Sequence, residues 1–288
     1  MTEADGSDVT WGARRFQLNR PMIMGVLNIT PDSFSDGGEN LDPEVAVQQA
    51  RKLFDAGADI IDVGGESTRP GAKQVTLSLE RSRVIPVIKE LSRMGIPVSI
   101  DTQKPDLMQE AIDGGACLVN DVSGAQTPEV ASLVARTGVG ICVMHMQGSP
   151  GDMQNNPRYS NVVEEVFDYL NKKVMDLVRA GVSSDQIVID PGFGFGKKLE
   201  HNVSLLRELN KFREIGCPIL VGLSRKSMLG LITEKQDPAD RLGSSVAAAI
   251  FAVGQGADIV RVHDVNETRD ALVAWQFLSE GTRSEQCK

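Results

Sequence analysis

PVSIDT (residues 97–102) and CLVND (117–121) are short apolar runs that each close on polar side chains, with one amphipathic stretch between them. A half-exposed strand would alternate apolar and polar residues. These runs do not, so they read as strands buried on both faces, which is the habit of a parallel sheet covered by helices. Working outward, six more runs share the pattern. They are MIMGVLN ending at Asn28, IIDVGGEST at Thr68, GICVMH at His145, IVID at Asp190, PILVGLSRK at Lys226 and IVRVH at Arg261 and His263. Eight such runs with helical crossovers predict one α/β domain, a (β/α)8 TIM barrel. Its strand C-termini would open on one rim, where barrel active sites sit.

Length and composition agree. The chain of 288 residues is typical of a single barrel, and 41% hydrophobic content supplies a large core. A formal net charge of −9 argues against a nucleic-acid or anionic-membrane binder, which would carry a basic patch. No run is long enough to span a membrane. The acidic N-terminus shows no apolar leader segment. Cys117, Cys142, Cys217 and Cys287 form no metal-binding spacing, and two lie inside apolar runs, so buried thiols in a reducing cytoplasm are expected.

The expected organisation is an N-terminal extension over 1–20, partly disordered, a barrel over 21–280 and a tail over 281–288. Residues 9–18 have the pattern of a hairpin that would plug the barrel bottom. Asp42-Pro43, Thr127-Pro128 and Asp237-Pro238 each put a capping side chain before a proline at the first helical position. Ala46, Ala50, Leu53 and Phe54 form a core stripe on the first helix, which Gly57 ends. Val162, Val166, Leu170, Val174 and Leu177 do the same on the longest helix, roughly 160–180, which Gly181 stops. AGADIIDVGG, GGACLVNDVSG and QGADIVRVHD repeat one helix-to-strand joint.

The rim carries the chemistry. Asp101, Asn120 and Asp190 are costly inside a barrel unless paired, and together they could grip the donor-and-acceptor edge of a flat heterocycle. Helix caps or structural salt bridges explain any one of them alone. Lys226, Arg261 and His263 close the seventh and eighth strands, where barrels often hold phosphate. Arg261 and His263, two apart, face the same way. His145 reads as a satisfied rim histidine and His201 as surface. Asn28 opens a polar loop with a glycine pair and could offer a hard oxygen to Mg²⁺. Asp32 and Asp36 in that loop could stabilise a cation or merely form turns. DPGFGFGK (190–197) suggests a glycine-rich phosphate loop without the usual spacing; alternatively Phe193 and Phe195 wall a flat ligand.

Seven segments in order, NITPDSFSDGG, GADIIDVGGESTRPGA, SIDT, LVNDVSG, DPGFGFGK, LVGLSRKS and RVHDV, resemble the dihydropteroate synthase family of pterin-binding barrels from residue 20 onward. The resemblance implies a (β/α)8 barrel, a homodimer and Mg²⁺ as cofactor. It implies condensation of 6-hydroxymethyl-7,8-dihydropterin pyrophosphate with p-aminobenzoate, giving 7,8-dihydropteroate and pyrophosphate, and inhibition by sulfonamides. By the same resemblance Asp101, Asn120, Val122, Met144, Asp190, Phe195, Gly222 and Lys226 hold the pterin. Asn28, Thr68, Arg261 and His263 hold pyrophosphate, with Asn28 also on the metal. Phe34, Thr68, Arg69, Pro70 and Ser224 line the amine site, and Asp101, Lys226, Arg261 and Asp36 are catalytic. A folate-dependent methyltransferase on a similar barrel would need no pyrophosphate cations and no STRPG loop. A non-catalytic pterin binder would have no use for both polar loops.

Overall fold

The computed structural model describes residues 8–30, 42–67, 75–149 and 151–279. The N-terminal residues 1–7 and the tail 281–288 lie outside them, so the disorder expected of the extension applies to residues not described. Two short strands, β1 (Val9–Trp11) and β2 (Arg14–Phe16), pair antiparallel. Eight parallel strands follow, one for each apolar run: β3 (Met22–Asn28), β4 (Ile60–Gly64), β5 (Val98–Asp101), β6 (Leu118–Asp121), β7 (Gly140–Met144), β8 (Ile187–Asp190), β9 (Leu220–Val221) and β10 (Ile259–Val262). Their order is β8-β7-β6-β5-β4-β3-β10-β9, and a parallel bridge between Ile189 and Ile219 joins the two ends into a nearly closed barrel.

Helices fill the crossovers: α1 (Pro43–Asp55), α2 (Leu77–Arg93), α3 (Pro105–Asp113), α4 (Pro128–Thr137), α5 (Val162–Arg179), α6 (Leu199–Arg207), α7 (Ser227–Thr233), α8 (Leu242–Gly254) and α9 (Val265–Ser279). Asp42 caps α1 by accepting from Glu44 N, as its sequence predicts. Thr127 makes no side-chain cap on α4, so there the proline alone sets the start. Asp237 caps a 3-10 turn, Pro238–Arg241, which leads into α8. On α1, Ala46 and Ala50 are buried and Leu53 and Phe54 pack partly against the same core. On α5 the predicted stripe is buried at all five positions, and Gly181 stands just past the cap at φ +94°.

Strand register sorts the interior into layers. Ile60, Leu118, Val188, Leu220 and Ile259 belong to one buried cluster with Met22, Met24 and Cys142. One step of two residues further along, toward the C-terminal rim, the same inward face carries Asp62, Asn120, Asp190, Gly222 and Arg261. Side chains two apart on a strand share a face, so a hydrophobic floor and a polar mouth are built by the same strands.

The hairpin closes the floor. Trp11 is fully buried and belongs to the interior cluster. Gly12 N donates to Gly138 O at 2.7 Å, just before β7. At Gly140 a Cβ would lie 2.6 Å from the Trp11 ring, so only glycine lets the indole in. Trp11→Ala should therefore cost about 3–5 kcal/mol of stability, as for other buried aromatic truncations. Urea unfolding measures it; a loss below about 1 kcal/mol would exclude the hairpin from the core.

Candidate active site

Arg261 reaches from β10 across the mouth to two carboxylates. Its Nε donates to Asp62 Oδ2 at 2.6 Å and its Nη2 to Asp101 Oδ2 at 2.8 Å. Asn120 Nδ2 donates to the same Asp62 oxygen at 3.0 Å. Four strands thus meet in one network. Burial alone would discharge such groups, and it pushes Asp101 up to about 7, with Asp62 adding to the rise against the pull of Arg261. Arg261 is held still more firmly charged than usual; burial works against it and the Asp62 and Asp101 charges prevail. Asp62 Oδ1 has no hydrogen-bond partner among the described residues, nor has Ser99 Oγ, its register neighbour on β5.

Asp190 stands on the opposite side of the mouth. Its Oδ1 accepts from Gly192 N at 2.7 Å, and burial raises its pKa. Lys226, the first residue before α7, places Nζ 4.1 Å from the centre of the Phe195 ring, close enough for a cation–π contact. Burial pulls Lys226 down to about 8, with the Asp190 charge opposing that fall. Phe195 packs with Val122, Met144 and Met153 in a small cluster of its own, separate from the floor and from the outer shell. An apolar wall beside a charged edge suits a flat, polar ring. Gly222 lies where a Cβ would approach Arg261 Cβ at 3.9 Å, so it keeps the space before the arginine stem open.

Other sequence-predicted residues fall in two groups. Ser224 is buried; its Oγ lies 3.0 Å from His263 Nδ1 and accepts from His263 N at 3.2 Å, tying the loop after β9 to the end of β10. Asn28 ends β3, partly buried, with Oδ1 near Gly64. Asp32, Phe34, Asp36, Thr68, Arg69 and Pro70 lie outside the described residues.

Three expectations need correction. The glycine-rich run 190–197 is no phosphate loop. Three of its amides are consumed internally, Gly192 N by Asp190, Gly194 N by Asn202 Oδ1 and Phe195 N by Gly192 O. Phe193 does not wall the site, since it is buried in the outer strand–helix shell. His201 is half-buried rather than surface; its Nδ1 accepts from Lys198 N at 3.1 Å at the start of α6. Two residues escaped the sequence reading. Asp62 sits in the middle of an apolar run, at the inward alternate position two before Gly64. Lys197 closes the glycine run, and its side chain is only 3% exposed.

His145 is satisfied, as its sequence context suggests. It stacks edge-on against Tyr169 at 4.9 Å, and its Nδ1 lies 2.9 Å from Lys197 Nζ. Burial, then the Lys197 charge, pushes it down to about 3. The folded state resists a proton that the unfolded chain takes near pH 6.5, so this group's contribution to stability falls as pH drops from about 6.5 toward 3. NMR of the histidine ring nitrogens should show His145 neutral from pH 8 down to 5; titration near 6.5 would contradict this environment.

Comparison with known proteins accords with this geometry. A family model described as "Pterin binding enzyme" matches residues 24–263. The chain is 48% identical over 274 residues to dihydropteroate synthase of Neisseria meningitidis serogroup C, covering 93% of this chain and 97% of that protein. It is similar to the solved dihydropteroate synthase of Yersinia pestis in a sulfonamide complex, with TM-score 0.90 and 41% identity over 96% of this chain and 100% of that one. It is equally similar to the Xanthomonas albilineans enzyme in complex with 7,8-dihydropteroate, with TM-score 0.88 and 40% identity over 96% and 100%.

Proposed function

The chain belongs to the pterin-binding enzyme family, among the dihydropteroate synthases, and on that premise we propose how its own residues carry the reaction. The substrates are 6-hydroxymethyl-7,8-dihydropterin pyrophosphate and p-aminobenzoate, the products 7,8-dihydropteroate and pyrophosphate. The observation that carries this reading is the mouth itself, a carboxylate and an amide set across from a lysine stacked on a phenylalanine.

Asp190 accepts hydrogen bonds from the exocyclic amine and a ring N–H of the pterin. Asn120 gives and takes one bond on the ring edge. Lys226 and Phe195 cover the ring, with Val122 and Met144 behind it. Bound this way, the methylene carbon points out of the barrel, where Arg261, His263 and Asn28 stand at strand ends. The C–O bond to pyrophosphate breaks, and Arg261 and Lys226 stabilise the departing negative charge. The dihydropterin ring delocalises the cation left on its methylene carbon, facing the carboxylates of Asp62 and Asp101. The amine nitrogen of p-aminobenzoate then forms the C–N bond and releases its proton to water. Ser224 lines the amine side, a role that the family resemblance extends to Thr68, Arg69, Pro70 and Phe34.

Mg²⁺ belongs to this reading as the partner of the pyrophosphate. Among the described residues no three His, Cys, Asp or Glu side chains are grouped to hold a metal. A single amide oxygen at Asn28 fits an ion that keeps waters and takes most ligands from a phosphate group. When bound, Mg²⁺ would neutralise charge on the pyrophosphate oxygens.

Pyrophosphate release tests the reading. It should require both substrates, and sulfonamides should inhibit it competitively with p-aminobenzoate. Release from the pterin substrate alone, or inhibition independent of p-aminobenzoate, would overturn it.

The same reading includes a homodimer and a reducing, cytoplasmic setting. Leu231, Ile232, Phe251, Val273, Phe277 and Leu278 are exposed large apolar side chains, all on α7, α8 and α9, and α8 contacts both of its neighbours. Exposed apolar side chains on three adjoining helices support a second copy as their cover. Cys117, Cys142 and Cys217 are free and buried, which suits a reducing compartment, and no described helix is long and apolar enough to cross a membrane. Sedimentation should give a dimer that Phe251→Glu with Phe277→Glu converts to monomer; a monomeric parent chain would exclude this surface.

A further inference from the structure

The lysine that closes DPGFGFGK has no place in the mechanism above, yet it is among the most enclosed charged groups in the chain. Lys197 Nζ donates to Gly192 O at 2.9 Å, Phe195 O at 3.0 Å and His145 O at 3.2 Å, and lies 2.9 Å from His145 Nδ1. Four acceptors surround one nitrogen. A neutral amine would turn its lone pair toward at least one of those oxygens; an ammonium has no lone pair and three N–H bonds to give. Three carbonyl oxygens around one nitrogen favour the charged form, while burial pulls Lys197 down to about 7. The neutral His145 completes the cage in the tautomer that leaves Nδ1 without a proton.

We propose that Lys197 is a positioning residue for the pterin site, whose buried ammonium clamps the 192–195 loop to the end of β7 and sets a positive charge behind Asp190. This rests on the reading of Asp190 as the pterin acceptor. The clamp is direct. Gly192 gives its N–H to Asp190 and its carbonyl to Lys197, so the residue that orients the carboxylate is itself held by the lysine. At Gly192, φ is +71° and a Cβ would fall 2.0 Å from His145 O, so the loop approaches β7 as closely as backbone allows. Phe195 gives its carbonyl to Lys197 and its ring to Lys226. Both surfaces of the pterin slot on this side hang from one ammonium.

The electrostatic part is separable from the mechanical part. Burial pushes Asp190 toward its protonated form; the Gly192 N–H and the charges of Lys226, Lys197 and Arg261 oppose it. The groups facing Lys197 are Asp190, Lys226, His145 and His201. Removing Lys197 removes one of three cations, so Asp190 should take up a proton at higher pH and stop accepting from the pterin. A purely mechanical lysine would weaken binding equally at every pH.

Lys197→Met keeps the length of the stem and deletes the charge. Calorimetric titration with 6-hydroxymethylpterin at pH 6, 7 and 8 tests it beside the parent chain, with Asp190→Ala as a control that should lose affinity at every pH. Asp101 and Lys197 titrate at about 7 and Lys226 at about 8, so the parent affinity itself varies over this range and the variant is read as its ratio to the parent at each pH. The variant should bind within tenfold of the parent at pH 8 and fall a further tenfold or more behind it by pH 6. A ratio of one throughout, or the same loss relative to the parent at each pH, overturns the proposal. A parent chain that does not bind the pterin overturns the underlying reading instead. Should Lys197→Met not fold, nitrogen-15 NMR of the parent's lysines decides. An exchange-protected Lys197 ammonium at pH 7 supports the proposal, and a neutral amine there overturns it.

Discussion

One guanidinium shared between two carboxylates inside a barrel is the arrangement on which the rest of this structure depends. Arg261 would be prohibitively costly there alone, and so would Asp62 or Asp101. Together they are tolerated, and their strands fix their geometry: Arg261 and Asp62 stand two residues past the floor residues Ile259 and Ile60, and Asp101 two past the buried Ser99. Asn120 completes the group by donating to Asp62. The floor, closed by Trp11, keeps water out from below. The polar layer can then be dry and still face the rim.

The mouth as a whole is close to charge balance. Asp62, Asp101 and Asp190 stand against Arg261, Lys226 and Lys197. Arg261 is paired directly with Asp62 and Asp101, and the balance left among the others is what keeps chemistry available. Among the described residues Asp190 has no side-chain salt bridge and keeps an oxygen for a ligand, while Lys226 rests on a ring. A site whose charges were all paired face to face would have nothing left to offer. The residues proposed for the pterin stand on strands or on a loop that Lys197 ties to β7, an arrangement that would build the grip before a substrate arrives.

Much of this was legible in the sequence because burial and period together constrain it. Asp101, Asn120 and Asp190 end apolar runs and could be placed on a rim directly. Asp62 lies inside its run instead, two residues before Gly64, and so reads as an interruption. Only the fold, in which Arg261 Nε donates to Asp62 Oδ2, shows that it faces the mouth. The glycines of DPGFGFGK suggested amides turned toward an anion. The Gly192 and Gly194 amides serve the chain itself and the Gly192 carbonyl turns to a cation, a reversal that depends on φ values no sequence spacing reports. Phe193 and Phe195, two apart, would share a face on a strand. On this glycine turn they diverge, one into the outer shell and one into the mouth.

Asp62 and Arg261 should act on the pterin site as one unit, because Arg261 Nε donates to Asp62 Oδ2 at 2.6 Å. A double-mutant cycle of Asp62→Asn and Arg261→Gln, read as affinity for 6-hydroxymethylpterin, measures this directly. Each single change should weaken binding, and the double should be no weaker than Arg261→Gln alone, a coupling on the order of 1–3 kcal/mol. Losses that add within about 0.5 kcal/mol would contradict the account, because two residues that add do not act as a unit.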